Sequence, residues 1–290
     1  MRNLILMLFL CGTSLGLTVS ATQVLPEDLH CMPVLIEIPL ADGINASYGT
    51  GIYLHGASKT FLVTAAHVIF NMVSTNRLEL INSNATLSSF VKGKDSKDKV
   101  VVKINLKQLR DGGLIKRHPS HDVTVVCVEE MLTGSTNGSV RFIRYGFTEP
   151  PTGQFVGFLT NLCSLFNEIL DGHESYILGY AVELLNKQLP SEVDFNYPLV
   201  RKGIISQKNQ RTRKLIVDSG VYGGNSGGPV AVVNHVSLDR TEFKVAGLIT
   251  QFVPIVTKVV PQIGVTNSYF VNSGYGVAEP IDYALELMRQ

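Results

Sequence analysis

Apolar residues in this chain come in short runs bounded by turn residues. Residues 34–38, 51–54, 60–64, 100–104, 123–128, 175–179, 215–217, 229–233 and 244–249 are each rich in Val, Ile, Leu or Tyr, with Gly, Asn and Asp between the runs. Runs of this length at this spacing predict an all-β fold of sandwich or barrel sheets. There is no regular alternation of strand and helix, which argues against a parallel sheet. Two segments read as helices, 66–73 and 280–289. In the second, Pro280 suits a first turn and Asp282 lies near the positive end, while Ile281, Ala284, Leu285 and Leu287 share an apolar face. A chain of 290 residues built of short strands points to two barrels joined near residues 134–138. The N-terminal barrel is expected over 22–134, and the C-terminal barrel with its closing helix over 135–290.

Composition narrows the setting. Hydrophobic residues make up 45% of the chain, enough for a large core. A formal net charge of +1 gives no electrostatic case for nucleic acid. The basic run Lys208-Asn209-Gln210-Arg211-Thr212-Arg213-Lys214 reads as a solvated hairpin tip, and the lysine-rich 92–99 as an exposed loop. The first residues form an export signal: Arg2, an apolar stretch over 4–10, and Val19-Ser20-Ala21 as a cleavage site. Residues 1–21 are therefore expected to be removed, leaving a secreted or periplasmic protein with no stable membrane anchor. The remaining Cys31, Cys127 and Cys163 are odd in number and cannot form a complete disulfide framework. Cys127 reads as a small buried hydrophobe, and a Cys31–Cys163 pair is left open. Asn45, Asn84 and Asn137 head glycosylation sequons.

Three local features carry candidate chemistry. In Gly223-Gly224-Asn225-Ser226-Gly227-Gly228-Pro229 a serine stands among glycines. Glycines let the backbone turn tightly and let a ligand approach, so N–H groups can converge beside the serine. A Gly-rich turn with an incidental serine is the other reading. A serine nucleophile needs a base. His67 follows the strand and small residues Thr60-Phe61-Leu62-Val63-Thr64-Ala65-Ala66, which let the imidazole face a cleft, or it is an ordinary strand-end histidine. Asp122 heads the apolar run 123–128, where a carboxylate needs a partner, or it caps a turn.

Taken together, Thr64-Ala65-Ala66-His67, His121-Asp122-Val123-Thr124-Val125-Val126 and Gly224-Asn225-Ser226-Gly227-Gly228-Pro229 resemble the three motifs of trypsin-like serine proteases, in that family's order. Leu199-Val200-Arg201-Lys202-Gly203-Ile204-Ile205-Ser206 and Val245-Ala246-Gly247-Leu248-Ile249-Thr250 are similar to the second barrel of its disulfide-poor, Deg-like branch. The resemblance spans roughly residues 32–288. It implies two perpendicular six-stranded Greek-key β-barrels with a catalytic cleft between them. His67 would be the general base, Asp122 its orienter and Ser226 the nucleophile, with the N–H groups of Gly224 and Ser226 as the oxyanion hole. Gly220 and Val221 would form the floor of the specificity pocket. Thr250, Gln251 and Phe252 would pair with an extended peptide substrate.

The departures are informative. No cysteine lies near His67, and no PDZ-like domain follows. Asn225 stands where digestive relatives keep an aspartate that pairs with a newly cut N-terminus. The match is loose between Pro151 and Pro198, where residues 162–170 read as an insertion. The resemblance calls for no metal and no cofactor. Two rival readings compete with this one. Gly224-x-Ser226-x-Gly228 also fits a nucleophile elbow, but that fold orders its triad Ser, acid, His, and only His235 follows Ser226. A catalytically silent binding protein on a protease scaffold is the other, and the three filled triad positions count against it.

Overall fold

A computed structural model describes residues 26–74, 77–91, 93, 98–133, 140–153, 156–183, 194, 196–237, 241–259 and 267–290. The leader and the junction at 134–138 lie outside these residues. The first half holds β1 (Pro33–Pro39), β2 (Ala46–His55), β3 (Lys59–Thr64), β4 (Phe70–Ser74), β5 (Arg77–Leu80), β6 (Asn84–Ser89), β7 (Val100–Asn105), β8 (Ile115–Arg117), β9 (Thr124–Thr133), β10 (Val140–Arg144) and β11 (Phe158–Leu159). The second half holds β12 (Glu174–Gly179), β13 (Leu199–Asn209), β14 (Lys214–Asp218), β15 (Pro229–His235), β16 (Thr241–Val259) and β17 (Asn267–Pro280). Four helices accompany them: α1 (Glu27–His30), α2 (Ala66–Ile69), α3 (Leu106–Asp111) and α4 (Asp282–Arg289).

The second half closes into a six-stranded barrel in the order β12-β13-β14-β17-β16-β15. The first half is a nine-stranded sheet along β10-β9-β3-β2-β1-β6-β7, with β8 added to β9 and β11 added in parallel to β2. This sheet is not closed by pairing among the described residues. The all-β double-barrel architecture with a terminal helix is as the sequence implies, the second barrel having the six strands expected and the first being a curled sheet of nine. Because β10 and β11 pair into the first sheet, the strands of the second barrel begin only at Glu174.

Three apolar clusters explain the runs. One fills the first sheet, with Val34, Ile36, Tyr53, Leu62, Val126 and Val128. Another fills the second barrel, with Ile177, Leu215, Val217, Val230 and Ile249. The third lies on the seam between them, where Ile52, Leu54, Phe61, Val63, Val125 and Cys127 meet Leu178, Ala231, Val245 and Leu248. On β3, Leu62 faces the first core while Phe61 and Val63 face the seam. Strands covered on both faces have no polar side to show, so they read as continuous apolar segments.

The helix α4 seals the same seam with Ile281, Tyr283, Ala284 and Leu287. Its apolar face is as expected, but its start is later, since Pro280 is the last residue of β17. The expected helix at 66–73 stops at Ile69, because Phe70 turns into the β4–β5 hairpin and pairs with Leu80. The insertion at 162–170 acts as a plug: Phe166 and Ile169 are fully buried in the second barrel's core. Lys208 and Arg213, at the β13–β14 hairpin, lie about 5 Å from the Phe166 ring, at 5.3 and 5.0 Å. Cys31, Cys127 and Cys163 are all buried, Cys31 and Cys163 are not joined to each other, and burial pushes the Cys163 thiol up to about 12.

Candidate active site

The first N–H groups of a helix have no partner within it. At α2 the cap residue, Ala65, has no side chain that could accept. Asp122 supplies the acceptors from the head of β9. Its carbonyl takes the Ala66 N–H at 3.3 Å, and Oδ1 takes the His67 N–H at 3.0 Å. Its Oδ2 lies 2.6 Å from His67 Nδ1. A carboxylate can only accept, so the imidazole proton sits on Nδ1 and Nε2 keeps its lone pair. Burial raises the Asp122 pKa, but the His67 ring and the two N–H bonds outweigh it and hold the group below the ordinary carboxylate value. The His67 side chain is 47% exposed, so its free edge is open to the cleft.

Ser226 lies in the loop between β14 and β15. That loop is fixed from the opposite sheet by Thr50 on β2. The Thr50 N–H donates to the Ser226 carbonyl at 2.8 Å, and its hydroxyl donates to the Gly224 carbonyl at 2.7 Å. The same hydroxyl accepts the Tyr180 N–H at 3.1 Å, and Thr64 donates its own hydroxyl to the Thr50 carbonyl at 2.7 Å. Thr50 and Thr64 are completely buried. Two glycines permit the close approach. Gly227 has φ +82°, and a Cβ there would fall 2.1 Å from both the Thr50 carbonyl and the Thr64 hydroxyl. Gly224 has φ +95°, and a Cβ there would fall 2.4 Å from the Tyr180 carbonyl. The backbone just after Ser226 therefore runs against the strand end that launches His67.

The turn is braced on its other side by Glu183, which accepts the Gly223 N–H at 2.8 Å and donates its own N–H to the Gly223 carbonyl at 3.0 Å. Within the described residues neither the Gly224 nor the Ser226 N–H has an acceptor.

Asn225 points into the protein and is fully buried. Its Oδ1 accepts from the Arg201 guanidinium and from the Tyr222 N–H at 2.9 Å. Arg201 also lies 5.2 Å from the centre of the Tyr222 ring. Burial lowers the pKa of Arg201, with the nearby Tyr222 acting against it.

The expected pocket residues are spread over two walls. Gly220 lies beneath the Tyr222 ring, 3.4 Å from where its Cβ would be. The Val221 side chain packs into the barrel core, and its carbonyl accepts from Asn272. Thr250 is buried on β16, with its hydroxyl on the Val277 carbonyl at 3.4 Å. Gln251 and Phe252 are exposed, Phe252 by 41%. β16 has no sheet partner on its β15 side beyond Leu248 among the described residues, so these residues border a free edge.

Thr50 and Arg201 were not foreseen as site residues. The signal for Thr50 was present: Gly49-Thr50-Gly51 places a hydroxyl between glycines in a buried strand. For Arg201 the signal is weak, since Lys202 follows it and the pair reads as an ordinary exposed stretch of strand.

Residues 49–234 match the family described as trypsin-like peptidase domain. No curated protein sequence matches the chain. Among solved structures it is similar to the thermostable serine protease AL20 from an extremophilic microorganism. That likeness has 9% identity and a TM-score of 0.51, covering 89% of this chain and 95% of that one. It is also similar to the serine endoprotease from Yersinia pestis at 16% identity and a TM-score of 0.48, covering 91% of this chain. The chain spans 64% of the length of that Yersinia pestis chain.

Thr50→Val keeps the shape of the side chain but strands the Gly224 carbonyl and the Tyr180 N–H. The expected cost is about 1–3 kcal/mol per stranded group in urea unfolding, accompanied by a fall in turnover. Thr50→Ser, which keeps the hydroxyl, is expected to stay within about 1 kcal/mol of the wild type.

Proposed function

The chain belongs to the trypsin-like peptidase domain family, and from that premise we propose that it is an exported serine endopeptidase of the disulfide-poor, Deg-like branch. In this reading Ser226, His67 and Asp122 form the triad. The observation that carries it is the 2.6 Å contact between Asp122 Oδ2 and His67 Nδ1, together with unfilled N–H groups at Gly224 and Ser226.

The chemistry runs in two halves. The Ser226 Oγ attacks the scissile carbonyl while His67 Nε2 takes its proton, and the Gly224 and Ser226 N–H groups hold the resulting oxyanion. Asp122, kept ionised, stabilises the imidazolium. The tetrahedral intermediate collapses, the C–N bond breaks, and His67 returns the proton to the leaving amine. Water then attacks the acyl-enzyme with His67 again as base, releasing the carboxylic acid and restoring Ser226. The partner is an extended peptide laid along Thr250, Gln251 and Phe252. The leader residues Arg2, Leu4–Leu10 and Ala21 support delivery to the periplasm or outside the cell. No helix among the described residues is long and apolar enough to cross a membrane.

Ser226→Ala or His67→Ala is expected to lower turnover of casein by about a million-fold, since triad members act as a unit. A fluorophosphonate probe is expected to label the wild type at Ser226 alone. Casein cleavage by purified Ser226→Ala at the wild-type rate, or a wild type that takes no label, would end this reading.

Arg201 gives Asn225 a partner from within the fold, the place that a freed N-terminus takes in digestive relatives. Activity is therefore expected to be independent of where the chain begins. Proteins starting at Ala21, Gln23 and Pro26 should share one kcat/KM, and a strict requirement for one of these starts is the contrary result.

Pocket chemistry suggests small or medium apolar residues before the cut, such as Val, Ala or Leu. No carboxylate stands at Gly220, so a buried Lys or Arg would lack a counter-charge, and Asp218 is exposed on β14. The Phe252 ring narrows the entrance. In a peptide series varied at that position, Val and Leu should be cleaved faster than Arg and Lys, and Phe252→Gly should broaden acceptance to Phe. Faster cleavage after Arg overturns the assignment.

A further inference from the structure

The loop between β8 and β9, residues 118–122, ends in the carboxylate that orients His67. Its own hydrogen bonds make it a closed unit. The His118 N–H donates to the Val123 carbonyl and the Val123 N–H to the His121 carbonyl, both at 2.9 Å. His118 Nδ1 accepts the N–H groups of Ser120 at 3.3 Å and His121 at 3.1 Å. Accepting there leaves the proton on Nε2, which lies 3.7 Å from Glu286 Oε2 on α4. Asp122 sits between His121 and Val123, so its peptide is tied directly to the residue that carries the His121 ring.

Beyond the His118 ring of its own loop, 4.8 Å away, that ring is held by the other half of the molecule. His121 Nδ1 lies 3.0 Å from Glu279 Oε2 on β17. The Glu279 side chain is 1% exposed, and its second oxygen lies 3.0 Å from Lys214 Nζ on β14. The face of the His121 ring stacks on Tyr283 of α4, with ring centres 3.6 Å apart and planes 15° from parallel. Two elements of the second half, β17 and α4, thus grip one ring of a first-half loop, and β14 braces the grip through Lys214. His121 and Glu279 are separated by 158 residues in the chain.

Association of the halves does not require this grip, because the seam already buries a continuous apolar cluster. A buried carboxylate is a costly way to add adhesion. What it adds is direction: a hydrogen bond fixes the rotation of the ring, and stacking fixes its height. Ser226 belongs to the second half, while His67 and Asp122 belong to the first. A directional link beside Asp122 therefore sets one part of the site against the other.

We propose that His121 is a positioning residue: Glu279 and Tyr283 hold its ring, and the ring holds the Asp122 peptide where its carboxylate meets His67. This rests on the triad reading above. His121 touches no substrate and acts only through Asp122. Small displacements are enough to matter, since a misplacement of about 1 Å at a reacting centre costs on the order of a hundredfold in rate.

The test compares His121→Phe with His121→Asn. The phenyl ring keeps the stack on Tyr283 and loses the bond to Glu279. The asparagine amide nitrogen takes the place of Nδ1 and keeps that bond. His121→Phe is expected to fold, to lose at least tenfold in kcat with KM within twofold, and to react with a fluorophosphonate probe more slowly by the same factor. The proton resonance of the His67 Nδ1–H, bonded to Asp122, should broaden in this variant. His121→Asn should recover most of the lost rate. Should His121→Phe not fold, Tyr283→Leu takes its place with the same expected split. A folded variant with wild-type kcat overturns the proposal, as does a loss that His121→Asn does not recover. A wild type that takes no label at Ser226 overturns the triad reading, and this proposal with it. A labelled wild type with an equally reactive His121→Phe overturns this proposal alone.

Discussion

The site depends on one buried hydroxyl. Thr50 has no access to water, so its side chain must find partners within the protein or cost free energy. It finds them across the seam, donating to the Gly224 carbonyl and accepting from the Tyr180 N–H. Its backbone holds the carbonyl of Ser226. Satisfying that threonine and presenting the serine are therefore the same structural event. The glycines of the loop follow from it, since any Cβ at Gly227 would occupy the space that Thr50 and Thr64 need.

Asp122 shows a similar economy. One residue closes the first turn of α2, which no side chain at Ala65 can do, and fixes the tautomer of His67. The short helix is supported because Asp122 receives its N–H groups, that of Ala66 on the carbonyl and that of His67 on the carboxylate. Packing and chemistry thus constrain the same atoms, and few substitutions at residues 64–67 or 122 leave either intact.

Much of this was legible because the signals are local. Doubly covered strands such as β3 and β9 must be apolar along their length, so they announce themselves as runs. Gly223-Gly224-Asn225-Ser226-Gly227-Gly228-Pro229 displays its backbone needs in its composition. Less visible were features that depend on distant partners. The helix α3 has a readable start, with Asn105 Oδ1 accepting the Gln108 N–H at 2.8 Å, and a readable stop at Gly112-Gly113, but its run is too short to show a period. The plug formed by Phe166 and Ile169 looks like a loop until the barrel around it is known. Arg201 looks like a surface cation until Asn225 is placed beside it. The length of β16 was hidden because residues 250–259 combine apolar and polar positions and, past the buried Thr250, are mostly exposed where described.

The bond from Thr50 to Gly224 joins residues 174 apart in the chain. Closing so long a loop has a high entropic cost and cannot precede the strands on either side. The order of assembly is therefore built into the topology: both sheets must form before the serine loop has anything to lean on. A chain whose two halves are not yet docked on their seam carries the serine without its support. Sequence in time is thus part of the architecture, the serine loop being the last element to gain its support.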